Sequence, residues 1–226
     1  MAHYYSASYD LPLASICLMP NWVDLRRFSA LPPKHILRQQ LGWPLDRKIV
    51  LFLHRLAERK GAHYIVSIVR GMLGSYPALS SQLFFVIVGA GPYEARLRAQ
   101  IQDAGLEGQC LLTGWIPNRE VAKYFAAADV YMMPSLEEGF PRTLLEAMAA
   151  GCPFVAMDVG GVRDIISLKQ VPFVVSRGNW QAMAVALGRL LTDDALRDDL
   201  ACNGRAHVEN YSQDRAVQIF TSLVAG

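Results

Sequence analysis

Short apolar runs alternate with segments of helical periodicity from residue 49 onwards. The runs occupy residues 49–54, 83–88, 109–114, 130–135, 153–158 and, more weakly, 172–176. A run that is apolar at every position, and not only at alternate ones, is typical of a strand covered on both faces. The segments between the runs, such as 61–75, repeat apolar residues at helical spacing. The pattern predicts an α/β fold built on a doubly wound parallel sheet.

The two ends of the chain depart from this alternation. Residues 1–48 are rich in proline and lack a long periodic segment, so they are interpreted as a lead-in or interdomain remnant. Within them, a short strand is predicted near 14–19 and a short helix near 33–41. Three helical segments close the chain at about 179–192, 193–208 and 212–224. Residues 49–226 are therefore expected to form one domain with a helical C-terminal tail.

Composition and charge disfavour several classes of protein. Hydrophobic residues make up 52% of the chain and charged residues 19%, which is typical of a globular protein. The net charge is +2 and the basic residues are scattered, so no nucleic-acid partner is expected. The cysteines and histidines form no metal-binding motif, so no metal is expected. The start has no basic leader and no apolar run spans a bilayer, which predicts a cytoplasmic protein without a transmembrane segment.

Unusual residues follow the carboxyl ends of five predicted strands. The segments are HRLAERKG at 54–61, GAGP at 89–92, GWIP at 114–117, SLEEGFPRT at 135–143 and DVGG at 158–161. Open parallel sheets bind ligands beyond the carboxyl ends of their strands. One ligand lying across all five ends is therefore expected, with the glycines allowing close backbone approach or a positive φ.

The side chains of these segments suit a ligand that carries both phosphates and hydroxyl groups. Arg55 and Lys60 place two cations at one strand end, and a helix predicted to begin near Arg142 points its free N–H groups at the same edge. Glu138 and Glu146 are unsuited to phosphate, but their carboxylates accept hydrogen bonds from sugar hydroxyls. Together these groups predict a site for a sugar nucleotide.

Each of these features, taken singly, also has a simpler explanation. Arg55 and Lys60 could belong to a solvated turn, Glu146 could complement its helix dipole, and Trp115 could be a packing residue. The dinucleotide fingerprint G-x-G-x-x-G fails at Glu94, its third position, so a nicotinamide enzyme is disfavoured. P-loop and α/β-hydrolase motifs are absent from the sequence.

The segments match, in order, the motifs of a known family. Glu138 and Glu146 have its E-x7-E spacing, within PSLEEGFPRTLLEAMAAGCPFVA at 134–156. Further matches are PNWVD at 20–24, RLAERKG at 55–61, VGAGP at 88–92, TGWIP at 113–117, AADVYMMPS at 127–135 and VGG at 159–161. Over about residues 14–224, the chain resembles the carboxyl-terminal, donor-binding half of a retaining glycosyltransferase of the GT-B class, family four (glycosyl transferases group 1).

The resemblance implies a Rossmann-like domain that is one half of a GT-B fold. It also implies an enzyme that transfers a sugar from a nucleoside-diphosphate sugar to an acceptor with retention, without a tightly bound cofactor or metal. Arg55, Lys60 and Glu138 are the implied catalytic residues. The two cations would hold the diphosphate and offset charge on the leaving group, and Glu138 would contact hydroxyls of the donor sugar.

The resemblance further implies a set of substrate-binding residues. They are Gly91, Trp115, Ile116, Glu138, Phe140, Pro141, Arg142, Thr143, Leu144 and Glu146. Glu146 would bind the ribose diol, and the loop at Trp115 and Ile116 would line the base. Backbone amides of 140–144 would contact sugar and phosphate, except at Pro141, which lacks an N–H where the family usually has glycine. His54 and Trp22 also replace glycines of the family pattern.

Length is the largest departure from the family pattern. Family members have two Rossmann-like domains and bind the acceptor with the first, whereas only a remnant fits before residue 48. A missing or separate acceptor-binding domain is therefore an expected partner, in a truncated chain, a gene fragment or a split enzyme. Peripheral membrane association of the full enzyme is also considered. A non-catalytic nucleotide-sugar-binding or partner-binding module and a sugar-nucleotide epimerase remain as alternative functions.

Overall fold

Six strands form one parallel sheet in this computed structural model, which describes residues 8–10, 12–13, 16–17, 19 and 21–224. The strands are β1 (Lys48–Leu53), β2 (Leu83–Val88), β3 (Cys110–Gly114), β4 (Val130–Met133), β5 (Phe154–Met157) and β6 (Val174–Val175). Their order is β3-β2-β1-β4-β5-β6, and every neighbouring pair is parallel. The predicted doubly wound sheet is confirmed, and its order reverses between β1 and β4.

Helices connect the strands and close the chain. In the described part they are α1 (Arg26–Ser29), α2 (Lys34–Leu41), α3 (Ile65–Ser75), α4 (Glu94–Asp103), α5 (Val121–Ala127), α6 (Arg142–Ala150), α7 (Val162–Ile165), α8 (Trp180–Thr192), α9 (Asp194–Val208) and α10 (Gln213–Val224). The helix predicted near 33–41 is α2. Of the strand predicted near 14–19, residues 14, 15 and 18 lie outside the described residues, and residues 16, 17 and 19 are irregular.

The strands are buried on both faces, as their apolar runs predict. Residues 49–52 of β1 are at most 1% exposed, and β4 and β5 are fully buried. Helix α3 buries Ile65, Ile68, Val69 and Met72 in the core, on the face that its periodicity predicts. Burial of this continuous apolar core is the main force that holds the sheet and its helices together.

Residues before β1 pack against the sheet domain and the C-terminal helices. The Arg38 guanidinium of α2 lies 2.6 Å from the Asp129 carboxylate and also donates to the Ala127 carbonyl. Asp129 in turn accepts from the Ile49 amide at the start of β1. Further upstream, the Val23 amide donates to the Tyr211 carbonyl at 2.9 Å. The segment predicted as a lead-in is thus bonded to the residues just before β4 and to the segment that precedes α10.

Two glycines bring the loops at the carboxyl edge of the sheet into contact with one another. Gly89, with φ of 132°, approaches so closely that a Cβ there would lie 2.0 Å from the His54 carbonyl oxygen. A Cβ on Gly160, where φ is 51°, would lie 1.7 Å from the Glu138 carbonyl oxygen. Both positions also favour glycine because of their positive φ. The close approach fixes the loops after β1 and β4, which carry the candidate site.

Candidate functional site

A cavity of about 480 Å³ opens at the carboxyl edge beside β1, β2 and β3. Its lining residues are Leu53, His54, Arg55, Val88, Gly89, Ala90, Trp115, Ile116, Asn118 and Val121. Arg55 is exposed, and Trp115 is 72% exposed at the rim. Three residues predicted for the site, Arg55, Trp115 and Ile116, thus line this first cavity, whose size suits a small organic ligand.

A second cavity of about 300 Å³ lies on the other side of the switch point, beside β4 and β5. Its lining residues are Leu136, Glu137, Glu138, Asp158, Val159, Gly160 and Arg177. A Cβ on Gly139 would meet no other atom within 4 Å, so there is free space next to Glu138. Glu138 therefore lines a polar cavity that adjoins the first one through its contact with His54.

Lys60 and Glu138 form a buried ion pair at this edge. The Lys60 ammonium lies 2.8 Å from Glu138 Oε1, and the two side chains are 10% and 8% exposed. Lys60 also donates to the Glu137 carbonyl oxygen at 3.0 Å. The His54 Nε2 atom lies 3.5 Å from the same Glu138 oxygen. Lys60, predicted to bind the diphosphate, and Glu138, predicted to bind the sugar, thus hold each other in place.

The Glu138 carboxylate is strongly stabilised in its charged form. Burial raises the pKa of Glu138, but His54, Lys60 and Ser135 act in the opposite direction and lower it to about 2. Each stabilises the negative charge, either by donating a hydrogen bond or by its own charge. At neutral pH this side chain is therefore a pure hydrogen-bond acceptor, as a contact with a sugar hydroxyl requires.

Glu146 is a buried acid in a different environment. It is the fifth residue of α6 and only 9% exposed, so it lies beyond the first turn, where a carboxylate best complements the helix dipole. Burial raises the pKa of Glu146, while the charges of Arg27 and Arg142 lower it. Because burial of a carboxylate is costly and two cations act on this one, Glu146 is a candidate for a role in ligand binding.

The hydroxyl of Tyr131 is influenced by the charges of both glutamates. Tyr131 is fully buried in β4, and its hydroxyl lies 3.4 Å from the Leu53 carbonyl oxygen at the end of β1. Burial raises the pKa of Tyr131, Thr143 opposes that shift by hydrogen bonding, and the charges of Glu138 and Glu146 raise it further. Both carboxylates therefore act by charge on one buried hydroxyl, which lies between β4 and the end of β1.

The family described as Glycosyl transferases group 1 matches residues 33–207, which is most of the chain. The chain belongs to this family. The resemblance to this family found in the sequence is confirmed.

Known members of the glycosyl transferase group 1 family and related structures resemble this chain over most of its length. The 2-deoxystreptamine glucosyltransferase of Streptomyces kanamyceticus is 31% identical over 80% of this chain and 46% of its own. HepE of Anabaena, in complex with UDP and glucose, has a TM-score of 0.82 at 24% identity, over 97% of this chain and 59% of HepE. The C-terminal domain of LpcC, a group 1 family protein of Francisella tularensis, has a TM-score of 0.72 at 25% identity, over 84% of this chain and 99% of that domain. The chain spans about half the length of the curated relatives it matches.

The first turn of α6 carries several predicted binding residues of this group 1 domain. Pro141 precedes the helix and forms no side-chain cap. The Arg142 amide donates to the Phe140 carbonyl oxygen at 2.9 Å, and the Leu144 amide donates to the Pro141 carbonyl oxygen at 3.0 Å. Leu144 is also fully buried in the core. These internal bonds leave the amides of Phe140 and Thr143 as the donors for the predicted ligand contacts.

Gly91 lies apart from the other predicted residues. A Cβ at this position would be 2.3 Å from the Leu56 carbonyl oxygen, so the requirement for glycine comes from contact between two loops. Gly91 lines a shallow pocket with Pro92 and Glu94 and is absent from the lining of the first cavity. The structure therefore brings the two cations, both glutamates and the loop at Trp115 to one edge, but it places Gly91 outside the cavity.

Arg27 is a candidate site residue that the sequence analysis does not identify. Its guanidinium donates to the Asn118 carbonyl and lies 3.5 Å from Asn118 Oδ1, in the loop that lines the first cavity. Its charge also acts on Glu146. Because Arg27 lies in the segment interpreted as a lead-in, no strand-end rule identifies it. Only the folded contact with Asn118 brings it to the site.

Neither a metal-binding cluster nor a membrane-spanning helix occurs among the described residues. Within that part of the chain, no group of three or more His, Cys, Asp or Glu side chains is arranged to hold a metal ion. Among the helices that the structure describes, none has the length and apolar character needed to cross a membrane.

Proposed function

We propose that this domain binds the donor of a glycosyltransferase that moves a sugar from a nucleoside-diphosphate sugar to an acceptor with retention. The buried Lys60–Glu138 ion pair between the two cavities carries this proposal. It places a cation for the diphosphate and an ionised acceptor for a sugar hydroxyl within 2.8 Å of each other. A donor that spans both cavities presents those two chemical groups at that junction.

The proposed mechanism uses charge that is fixed before the reaction begins. When the bond between the sugar and the diphosphate breaks, negative charge develops on the leaving diphosphate. Lys60 is held by Glu138 and by the Glu137 carbonyl, so it can stabilise that charge without reorganising. Arg55 is exposed at the cavity and adds a second, more adaptable cation. In this mechanism, Glu138 accepts hydrogen bonds from the sugar and Glu146 from the ribose diol.

UDP and UDP-glucose are the first ligands to test. HepE of Anabaena, which shares the fold, was crystallised with UDP and glucose, and the Streptomyces kanamyceticus relative is a glucosyltransferase. The first cavity, with Trp115 and Ile116 at its edge, is the proposed site of the nucleoside. The polar second cavity, which Glu138 lines, is the proposed site of the sugar.

An acceptor-binding domain is the proposed partner of this half. The last helix, α10, exposes Val217, Phe220 and Val224 on one face, with 55%, 55% and 69% of each residue exposed. Their spacing of three and then four residues forms an apolar stripe. A contiguous apolar surface of this kind is typical of a contact with another domain. A cytoplasmic location, with at most peripheral membrane contact, is part of the same proposal.

Replacing Glu146 with Gln is expected to weaken UDP binding about 10- to 150-fold, because hydrogen bonds to a charged group contribute about 1.5–3 kcal/mol.

The pKa of Glu146 is raised in the folded state. Glu146 therefore stabilises the fold only at low pH, and this stabilisation is lost as the pH rises through its raised pKa. At neutral pH the neutral Gln is expected to leave the melting temperature unchanged or raise it. Calorimetric titration with UDP and a thermal melt measure both effects. A lower melting temperature with unchanged affinity would mean a purely structural role.

Replacing Arg27 with Ala is expected to shift the pH dependence of UDP binding. Without this cation the pKa of Glu146 rises further, because a nearby positive charge that favours the ionised carboxylate is lost. The carboxylate then becomes protonated, and UDP affinity falls, at a higher pH than in the wild type. Titrations from acid to neutral pH measure the shift. Arg26→Ala is the matched control, because Arg26 is exposed and pairs with Asp24 at 3.0 Å. Identical profiles for the two variants would contradict the assigned role.

A further inference from the structure

His54 has a rigidly held backbone at the junction of the two cavities. Its amide continues the pairing of β1 with β2 by donating to the Val88 carbonyl at 3.1 Å. Its own carbonyl lies against Gly89, where a Cβ would come within 2.0 Å. The side chain lines the first cavity and is 24% exposed. A side chain on such a backbone can be placed precisely with respect to a ligand.

The contacts of the imidazole determine which nitrogen carries its proton. The Arg55 amide lies 2.7 Å from His54 Nδ1 and donates to it. A neutral imidazole that accepts at Nδ1 carries its proton on Nε2. His54 Nε2 lies 3.5 Å from Glu138 Oε1, so the N–H group is available to that carboxylate. The turn after β1 thus orients the imidazole as a donor to Glu138.

Two donors from different parts of the chain meet at one oxygen of Glu138. Lys60 Nζ lies 2.8 Å from Oε1, and His54 Nε2 lies 3.5 Å from the same atom. Oε1 is inaccessible to solvent, and neither contact has the geometry of a hydrogen bond, so both nitrogens attract this oxygen electrostatically at close range. Glu138 nevertheless lines the second cavity. The carboxylate therefore reaches that cavity through Oε2. A carboxylate attracted at one oxygen by two such nitrogens has little freedom to rotate.

We propose that His54 is a positioning residue that, together with Lys60, fixes Oε1 of Glu138 and directs Oε2 at a hydroxyl of the donor sugar. This inference rests on the proposed function, because it assigns the sugar to the second cavity. The nucleoside diphosphate itself makes no use of Oε2 in this arrangement. His54 also lines the first cavity, so its loss is expected to lower the affinity for the free nucleotide as well, but by less than the affinity for a nucleotide sugar.

A simpler role for His54 is to support the turn at Arg55 through Nδ1, and two substitutions separate the roles. His54→Asn keeps an acceptor near Nδ1 and loses the donor at Nε2. His54→Gln places an amide donor near Nε2 and loses the acceptor at Nδ1. His54→Ala removes both. The exposed His35 on α2 provides the control variant His35→Ala.

Calorimetric titration of the full chain with UDP and with UDP-glucose tests the proposal. His54→Ala and His54→Asn are expected to weaken UDP-glucose binding about tenfold or more, and His54→Gln is expected to restore most of it. UDP affinity is expected to fall clearly less than UDP-glucose affinity in His54→Ala and His54→Asn, and to stay at the wild-type value in His35→Ala. Wild-type affinity for UDP-glucose in His54→Asn, or equal losses for both ligands, would overturn the role.

The pKa of Glu138 provides a second test that requires no ligand. Absence of binding to both UDP and UDP-glucose in the wild type would contradict the proposed function for UDP sugars, but it would not affect this second test. The side-chain carboxyl of Glu138 is titrated by ¹³C NMR in the same variants. Its pKa, about 2 in the wild type, is expected to rise in His54→Ala and His54→Asn and to fall back in His54→Gln. ¹⁵N spectra of the imidazole are expected to show the Nε2–H tautomer. An unchanged Glu138 pKa or an Nδ1–H tautomer would overturn the inference.

Discussion

The 226-residue chain by itself is expected to bind UDP and to transfer no measurable sugar. Its two cavities lie at the edge of a single sheet, and they offer cations for the diphosphate and carboxylates for hydroxyl groups. These groups are sufficient for weak binding. Transfer also requires an acceptor hydroxyl held next to the anomeric carbon, and the proposed acceptor domain supplies that second wall.

The expected loss of transfer is large. Holding two reactants in the right geometry contributes about 7–11 kcal/mol to lowering a barrier. That corresponds to a rate difference of about 10⁵-fold or more. Closure of a second domain also excludes water from the activated donor. A donor bound to the open edge is therefore expected to undergo slow hydrolysis at most.

Two assays on the purified chain test this expectation. UDP-glucose is titrated by calorimetry and then incubated with mixed acceptors, and free glucose and glycosylated products are quantified separately. Adding a separately expressed acceptor domain is the informative complement, since transfer is expected to appear only in its presence. Efficient transfer by the chain alone would show that catalysis does not require a second, acceptor-binding domain.

The sheet could be predicted from the sequence because its strands are unbroken apolar runs. The run at 130–135 became β4 (Val130–Met133), and the run at 49–54 became β1 with a shift of one residue. Segments with mixed signals were predicted less well. The weak run at 172–176 yields only the two-residue strand β6. The helical segment 61–75 begins as a 3₁₀ turn, and its α-helix starts at Ile65.

The strand ends at which the candidate residues gather could be predicted, but the contacts between these residues could not. The rule of strand ends directs attention to Lys60 and Glu138, yet it does not reveal that these residues, 78 positions apart, form an ion pair. That contact depends on the path of two irregular loops, which Gly160 and Gly61 bring close to neighbouring backbone. The role of Arg27 likewise depends on tertiary packing, because its partner Asn118 is 91 residues away.

The local sequence also did not predict that the pKa values of Glu138 and Glu146 shift in opposite directions. Both belong to one motif and both are acids near the start of a helix. In the fold, Glu138 has a pKa lowered to about 2, whereas burial raises the pKa of Glu146. The difference arises because Lys60 and His54 contact Glu138, while the cations that face Glu146 act on it only by charge. Replacing Glu138 with a neutral residue is therefore expected to lower the stability of the fold at neutral pH, whereas replacing Glu146 is not.

Replacing Glu138 with Gln is expected to lower both the stability of the fold and the affinity for a nucleotide sugar. The neutral amide leaves the Lys60 ammonium buried without its counterion, since only the Glu137 carbonyl remains at 3.0 Å. Loss of a hydrogen bond between charged groups costs about 1.5–3 kcal/mol. The expected free energy of unfolding at neutral pH is lower by that amount, which urea titration measures.

The effect of Glu138→Gln also has a defined pH dependence. The pKa of Glu138 is lowered in the folded state, from an ordinary value of 4.5 to about 2. Its stabilisation is therefore complete above 4.5 and is lost as the pH falls towards 2. The difference in stability between wild type and Glu138→Gln is expected to shrink over that range. Glu137→Gln is the matched control, because this neighbouring side chain is exposed and its carbonyl contact with Lys60 survives the substitution. Equal stability of the wild type and both variants at neutral pH would show that the ion pair does not hold the site together.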